Sequence, residues 1–112
     1  MIKNRKKTAM RQLLDRLGDK WSVLVLEKLE NNNTMRFMDL YRNIDHISQK
    51  VLSETLHKLE DDQLITRTIY YEVPPRVEYS LTPKGKSLLP HIKNLENWVS
   101  QYQNNENQNN NT

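Results

Sequence analysis

Between residues 61 and 82 the hydrophobic repeat of this chain changes from the helical 3.6 to the strand-like 2, and then back. Few architectures admit that change within 112 residues, a length that predicts one domain around one modest core. Ile65–Val73 alternates loosely and is rich in Thr, Ile and Tyr, while Val77, Tyr79 and Leu81 alternate with Glu78 and Ser80. Pro74-Pro75 separates the two runs and lies inside neither. A two-stranded hairpin with a long, stiff tip is therefore expected.

Helical patterns flank the hairpin. Met10, Leu13, Leu14 and Leu17 predict a first helix over about 9–17, with Thr8 as its N-cap and Gly18 after its end. A second helix capped by Asp19 follows, with Trp21, Leu24, Val25 and Leu29 inward and Val23 and Leu26 widening that face. The Asn31–Asn33 cluster reads as a loop. Phe37, Leu40, Tyr41 and Ile44 predict a short third helix over 36–44. After a tight connection over 45–47, Ser48 caps a fourth helix that runs to about Asp61 on Val51, Leu52, Leu56 and Leu59. Thr82-Pro83 opens a last helix of roughly 20 residues, which Pro90 is expected to kink or restart. Its apolar stripe is Leu88, Ile92, Leu95, Val99 and Tyr102, too apolar to stand alone on so small a domain. The expected division is a basic, flexible arm over 1–7, a folded domain over 8–102 and a disordered Asn-rich tail over 103–112.

Composition narrows the chemistry. The chain holds no Cys and two Gly, which excludes disulfides, thiol catalysis and Cys-ligated zinc and leaves no phosphate-cradling loop. No metal-ligand spacing joins His46, His57 and His91, so neither a metal nor a cofactor is expected. No nucleophile–base pair is apparent, and catalysis is not expected. The longest apolar stretch is Val23–Leu26, far too short to span a membrane, and no signal segment precedes it; a cytoplasmic protein is expected. The net charge of +3 is unevenly placed: residues 1–20 hold seven cations and two anions, and the remainder is net −2. A basic arm on a polyanion and a solvated start that aids solubility are equally consistent with that asymmetry.

The order of elements is helix, helix, short helix, tight turn, helix, hairpin, long helix: mainly α with a small β-hairpin wing, a winged helix-turn-helix. A major groove about 12 Å wide admits one helix that is polar outside and apolar behind. The fourth helix has that form, with Ser48, Gln49, Lys50, Ser53 and His57 as base-facing candidates. Gln suits a bidentate contact to adenine, and Lys reaches guanine. Arg36, Lys58, Arg67 and Arg76 are candidates for contacts to the DNA backbone or, at the wing, the minor groove.

Leu17–Trp21, Arg36–Leu40, Ile47–Ser53, Leu56–Glu60, Val73–Gly85, Leu89-Pro90 and Trp98 form a set of blocks in fixed order and spacing. In these residues the chain resembles the HxlR-type winged helix-turn-helix transcription regulators, relatives of the MarR group. The resemblance implies a homodimeric cytoplasmic regulator, here expected to be a repressor, in which the first and last helices form the dimer. The interface set is then Met10, Leu13, Leu88, Ile92, Leu95, Trp98, Val99 and Tyr102. The expected partners are double-stranded DNA and a second copy, with no membrane. A small-molecule effector has room between the long helices and the DNA-binding core, and no residue identifies one. The alternative is a winged-helix module that binds a protein partner and not DNA. Two departures stand out. Many relatives carry a Cys about 13 residues before the Trp; Thr8 stands there, which excludes a thiol switch. The family pattern has Gly where this chain has Gln63, after the fourth helix.

Overall fold

The computed structural model describes residues 5–110, with side chains over 8–103. Its elements are α1 (Arg5–Leu17), α2 (Ser22–Asn32), β1 (Thr34–Met35), α3 (Phe37–Asn43), α4 (Gln49–Asp61), β2 (Ile65–Tyr70), β3 (Arg76–Leu81) and α5 (Pro83–Asn110). The three strands form one antiparallel sheet in the order β1-β3-β2. Ile65 pairs with Leu81 and Tyr70 with Arg76 along the wing, and Thr34 pairs with Ser80 on the other side of β3. The winged helix-turn-helix read from the sequence is the fold observed, with a third strand added.

Local chemistry accounts for most boundaries. The Ser48 hydroxyl accepts the Val51 N–H at 3.1 Å and starts α4 as expected. Thr82 Oγ1 accepts the Gly85 N–H at 3.0 Å, and Pro83 occupies the first turn of α5, where its missing N–H costs no hydrogen bond. The Asp39 carboxylate accepts the Arg36 N–H at 3.3 Å and opens α3. At the end of α4, Leu64 N–H donates to Leu59 O at 3.0 Å and Gln63 N–H to Glu60 O at 2.9 Å. This is a Schellman closure, and Gln63 takes the left-handed φ of 61° that it requires.

Several expectations are corrected. α1 begins at Arg5, so Thr8 lies inside it and is not its N-cap. Residues 1–4 of the expected arm lie outside the described residues. Asp19 does not cap α2; its carboxylate accepts the Trp21 N–H at 3.0 Å and shapes the turn before the helix. Leu24 is exposed, and the inner face of α2 is Ser22, Val25, Leu26 and Leu29, rotated from the predicted one by small, buried Ser22. α5 runs through Pro90 without a restart. It also continues past Tyr102 to Asn110, over a stretch with neither Pro nor Gly to stop it.

The core lies where α2, α3, α4 and the first part of α5 meet the sheet. Val25, Leu26, Leu29, Leu40, Leu52, Leu59, Ile65 and Leu89 are its most enclosed apolar side chains. Gly85 is required at the root of α5: a Cβ there would stand 2.1 Å from the Leu64 carbonyl oxygen. Among the described residues no helix is long and apolar enough to cross a membrane.

Candidate nucleic-acid interface

The turn between α3 and α4 is pinned by two buried side chains, Ile44 and Ile47, with His46 at φ 69° between them. That turn presents α4 with Leu52, Thr55, Leu56 and Leu59 inward. Their spacing of three and four residues sets the opposite face outward. Thr55 is inside because its hydroxyl donates to the Val51 carbonyl at 2.8 Å, which satisfies the one polar group on that face.

The outward face holds the base-facing candidates together. Ser48, Gln49, Lys50, Ser53 and His57 are all exposed. Gln49, Lys50, Ser53 and His57 make no side-chain hydrogen bond or ion pair among the described residues. Ser48 differs, because its oxygen already caps the helix. Gln49, Ser53 and His57 recur every four residues, so they form a row about 12 Å long on one side of the helix.

The four cations are placed differently from one another. Arg36 is exposed at the start of α3. Lys58 Nζ lies 3.8 Å from Asp19, and Arg67 Nε lies 3.9 Å from Glu60. Arg76 Nε lies 3.6 Å from Glu72 and 3.5 Å from Glu78, and its guanidinium carbon is 4.2 Å from the centre of the Tyr70 ring. Tyr79, beside Arg67, is half-buried, and that burial pushes its hydroxyl above the ordinary value of 10.0 despite the opposing guanidinium. Neither these counter-charges nor the stacking on Tyr70 was part of the sequence reading. The Glu72–Arg76 spacing of four was the only local signal.

The expected dimer set divides in two. Met10, Leu95, Trp98, Val99 and Tyr102 are exposed, each by between 45% and 57%. Trp98 and Tyr102 pack ring against ring at 4.8 Å. Leu13 is half-buried, and Leu88 is half-buried against the core. Ile92, expected in the interface, is buried within this chain's own core, because the first third of α5 docks before the helix leaves the domain.

A further cluster, invisible in the sequence, joins these regions. Arg16 of α1 pairs with Asp62 at the end of α4, and Lys84 Nζ donates to the Asp62 carbonyl at 2.9 Å. Thr82 Oγ1 donates to the Gln63 carbonyl at 2.6 Å. An open cleft of about 750 Å³ lies there, lined by Leu13, Arg16, Asp62, Lys84, Leu88 and His91 among others.

Residues 16–107 match the family model described as HxlR-like helix-turn-helix. An HTH-type transcriptional regulator of Methanothermobacter thermautotrophicus is 45% identical over 89 residues, 80% of this chain and 67% of that protein. One from Halalkalibacterium halodurans is 40% identical over 104 residues, 93% of this chain and 92% of that protein. A solved structure described as a regulator of the MarR family, from Enterococcus faecalis V583, superimposes with a TM-score of 0.82 at 31% identity. That superposition covers 96% of this chain and 97% of the other.

Proposed function

Because the chain belongs to the HxlR-like helix-turn-helix family of transcriptional regulators, we propose that it is a cytoplasmic, homodimeric, sequence-specific DNA-binding repressor. α4 lies in the major groove, the β2–β3 wing meets the flanking backbone or minor groove, and α1 and α5 join the two copies. Bound to its site, the dimer represses by occupying it. The observation that carries this reading is the set Gln49, Lys50, Ser53 and His57, exposed and without side-chain partners among the described residues, on the outer side of a helix whose inner side is fixed in the core. Two such sets in a symmetric dimer meet successive major grooves about 10 base pairs apart. The cleft beside Arg16 and Asp62 is the space in which a small-molecule effector would act on that spacing.

Selection of duplexes from a random pool, followed by fluorescence anisotropy at several salt concentrations, tests the assignment. Gln49→Ala and Lys50→Ala are expected to relax sequence choice, by roughly 1–3 kcal/mol at the base pair each reads. Arg76→Ala is expected to weaken binding to duplexes that α4 holds in register and to reduce the salt slope there by about 1, without changing which bases are preferred. A changed base preference with an unaltered slope would overturn the role given to Arg76. The second reading, a module that binds a protein partner, is favoured by the carboxylates facing Lys58, Arg67 and Arg76. Failure to retain any duplex at low salt decides for it.

A further inference from the structure

The wing carries its only two arginines against acidic side chains, and one of them faces two carboxylates. Arg76 and Glu78 are two apart on β3 and therefore share a face of the sheet. Tyr70 is the ladder partner of Arg76 on β2, and Glu72 follows from the tip. These three side chains surround one guanidinium. Its Nε has no accessible surface and no hydrogen bond of good geometry, whereas the side chain as a whole is 31% exposed. The Nε edge thus faces the two carboxylates, and the exposure belongs to the rest of the side chain.

We infer that Glu72 and Glu78 are specificity-determining residues of the wing, acting through Arg76; this rests on the DNA-binding reading above. Two carboxylates facing one guanidinium leave the cluster with a net negative charge. Sequence-independent binding is driven by neutralising phosphates and releasing their counterions, so this cluster contributes little to it. A phosphate gains Arg76 only by displacing the carboxylates. That exchange is easy when α4 already holds the duplex in register, because partly exposed ion pairs at 3.5–3.6 Å are weak. It is unfavourable when the wing meets DNA alone. Stacking on Tyr70 keeps the guanidinium in place through the exchange. The same arrangement recurs more loosely where Glu60 faces Arg67 and Asp19 faces Lys58. Lys58, Arg67 and Arg76 thus carry their own counter-charges and select against non-specific sites.

The test compares the wild type, Glu72→Gln with Glu78→Gln, and that double variant with Arg76→Ala added. Anisotropy titrations over a salt series use two duplexes: one selected by the wild type from a random pool, and one of scrambled sequence. The double variant is expected to bind the scrambled duplex roughly three- to tenfold more tightly, with a salt slope steeper by about 1. Binding to the selected duplex should tighten less, so the ratio between the two falls. Adding Arg76→Ala should abolish the gain. Equal changes on both duplexes, no change on either, or a gain that survives Arg76→Ala would each overturn the inference and leave DNA binding standing. A wild type that retains no duplex at low salt overturns the DNA-binding reading, and the inference with it.

Discussion

Gln63 occupies a conformation that suits a residue without a Cβ. At φ 61° it closes α4, and an L side chain there is strained. Gln63→Gly is expected to stabilise the chain by about 1 kcal/mol, read as a higher urea midpoint with an unchanged slope. The opposing loss is the greater entropy of Gly in the unfolded chain, so a drop in the midpoint would show that entropy outweighs the relieved strain. This residue was legible in advance, because a departure from Gly in a helix-ending pattern is a local signal. Ser48 was legible for the same reason, as an N-cap three residues before the Val51 N–H it binds. The partners of Arg16 and Arg76 were not. Arg16 and Asp62 stand 46 residues apart, and no periodicity encodes such a pair. Glu78 reaches Arg76 only because a strand sets both on one face.

Elements were legible in proportion to their length and their caps. α4 and α5 carry both a long stripe and a side-chain cap, and each starts where the sequence placed it. β1 has two residues, too few to show alternation, and it exists because β3 offers Ser80 and Tyr79 as ladder partners. The rotation of α2 was hidden because Ser22 reads as polar surface until its size is considered. α2 also carries a charge that the fold opposes. The pKa of Glu27 is raised above 4.5, first by burial and then by Glu96 and Glu30. A carboxyl with a raised folded pKa favours the fold at low pH, and that contribution is lost as pH rises through the folded value. Glu27→Gln should therefore raise the unfolding midpoint at pH 7, and this advantage should vanish below the ordinary value of 4.5. An advantage that persists unchanged at pH 4 would mean that the charge is not its cause.

The whole molecule is more extended than a chain of its size needs to be. Its radius of gyration is 17.1 Å, against about 13 Å for a compact chain of this length. The excess comes from α5, 28 residues long, of which only the start is docked. Beyond Ile92 the helix shows Leu95, Trp98, Val99 and Tyr102 to solvent, and α1 exposes Met10 and Leu14. Six large apolar side chains are a strong incentive for pairing. The wild type is expected to show a dimer mass by light scattering at micromolar concentration. Leu95→Glu with Val99→Glu should give a monomer that keeps its helical signal and loses most of its DNA affinity. A monomeric wild type would overturn the proposed assembly. The sequence disclosed the stripe but not where along it the domain ends, since Ile92 and Leu95 look alike until the core claims one of them. Because α5 is a single rod from Gly85 through that point, it fixes more than distance. In the proposed dimer, one residue added between Ile92 and Leu95 would swing the stripe by about 100° about the rod's axis. Both reading heads would then fall out of phase with the duplex, although every atom that touches a base had been left as it was.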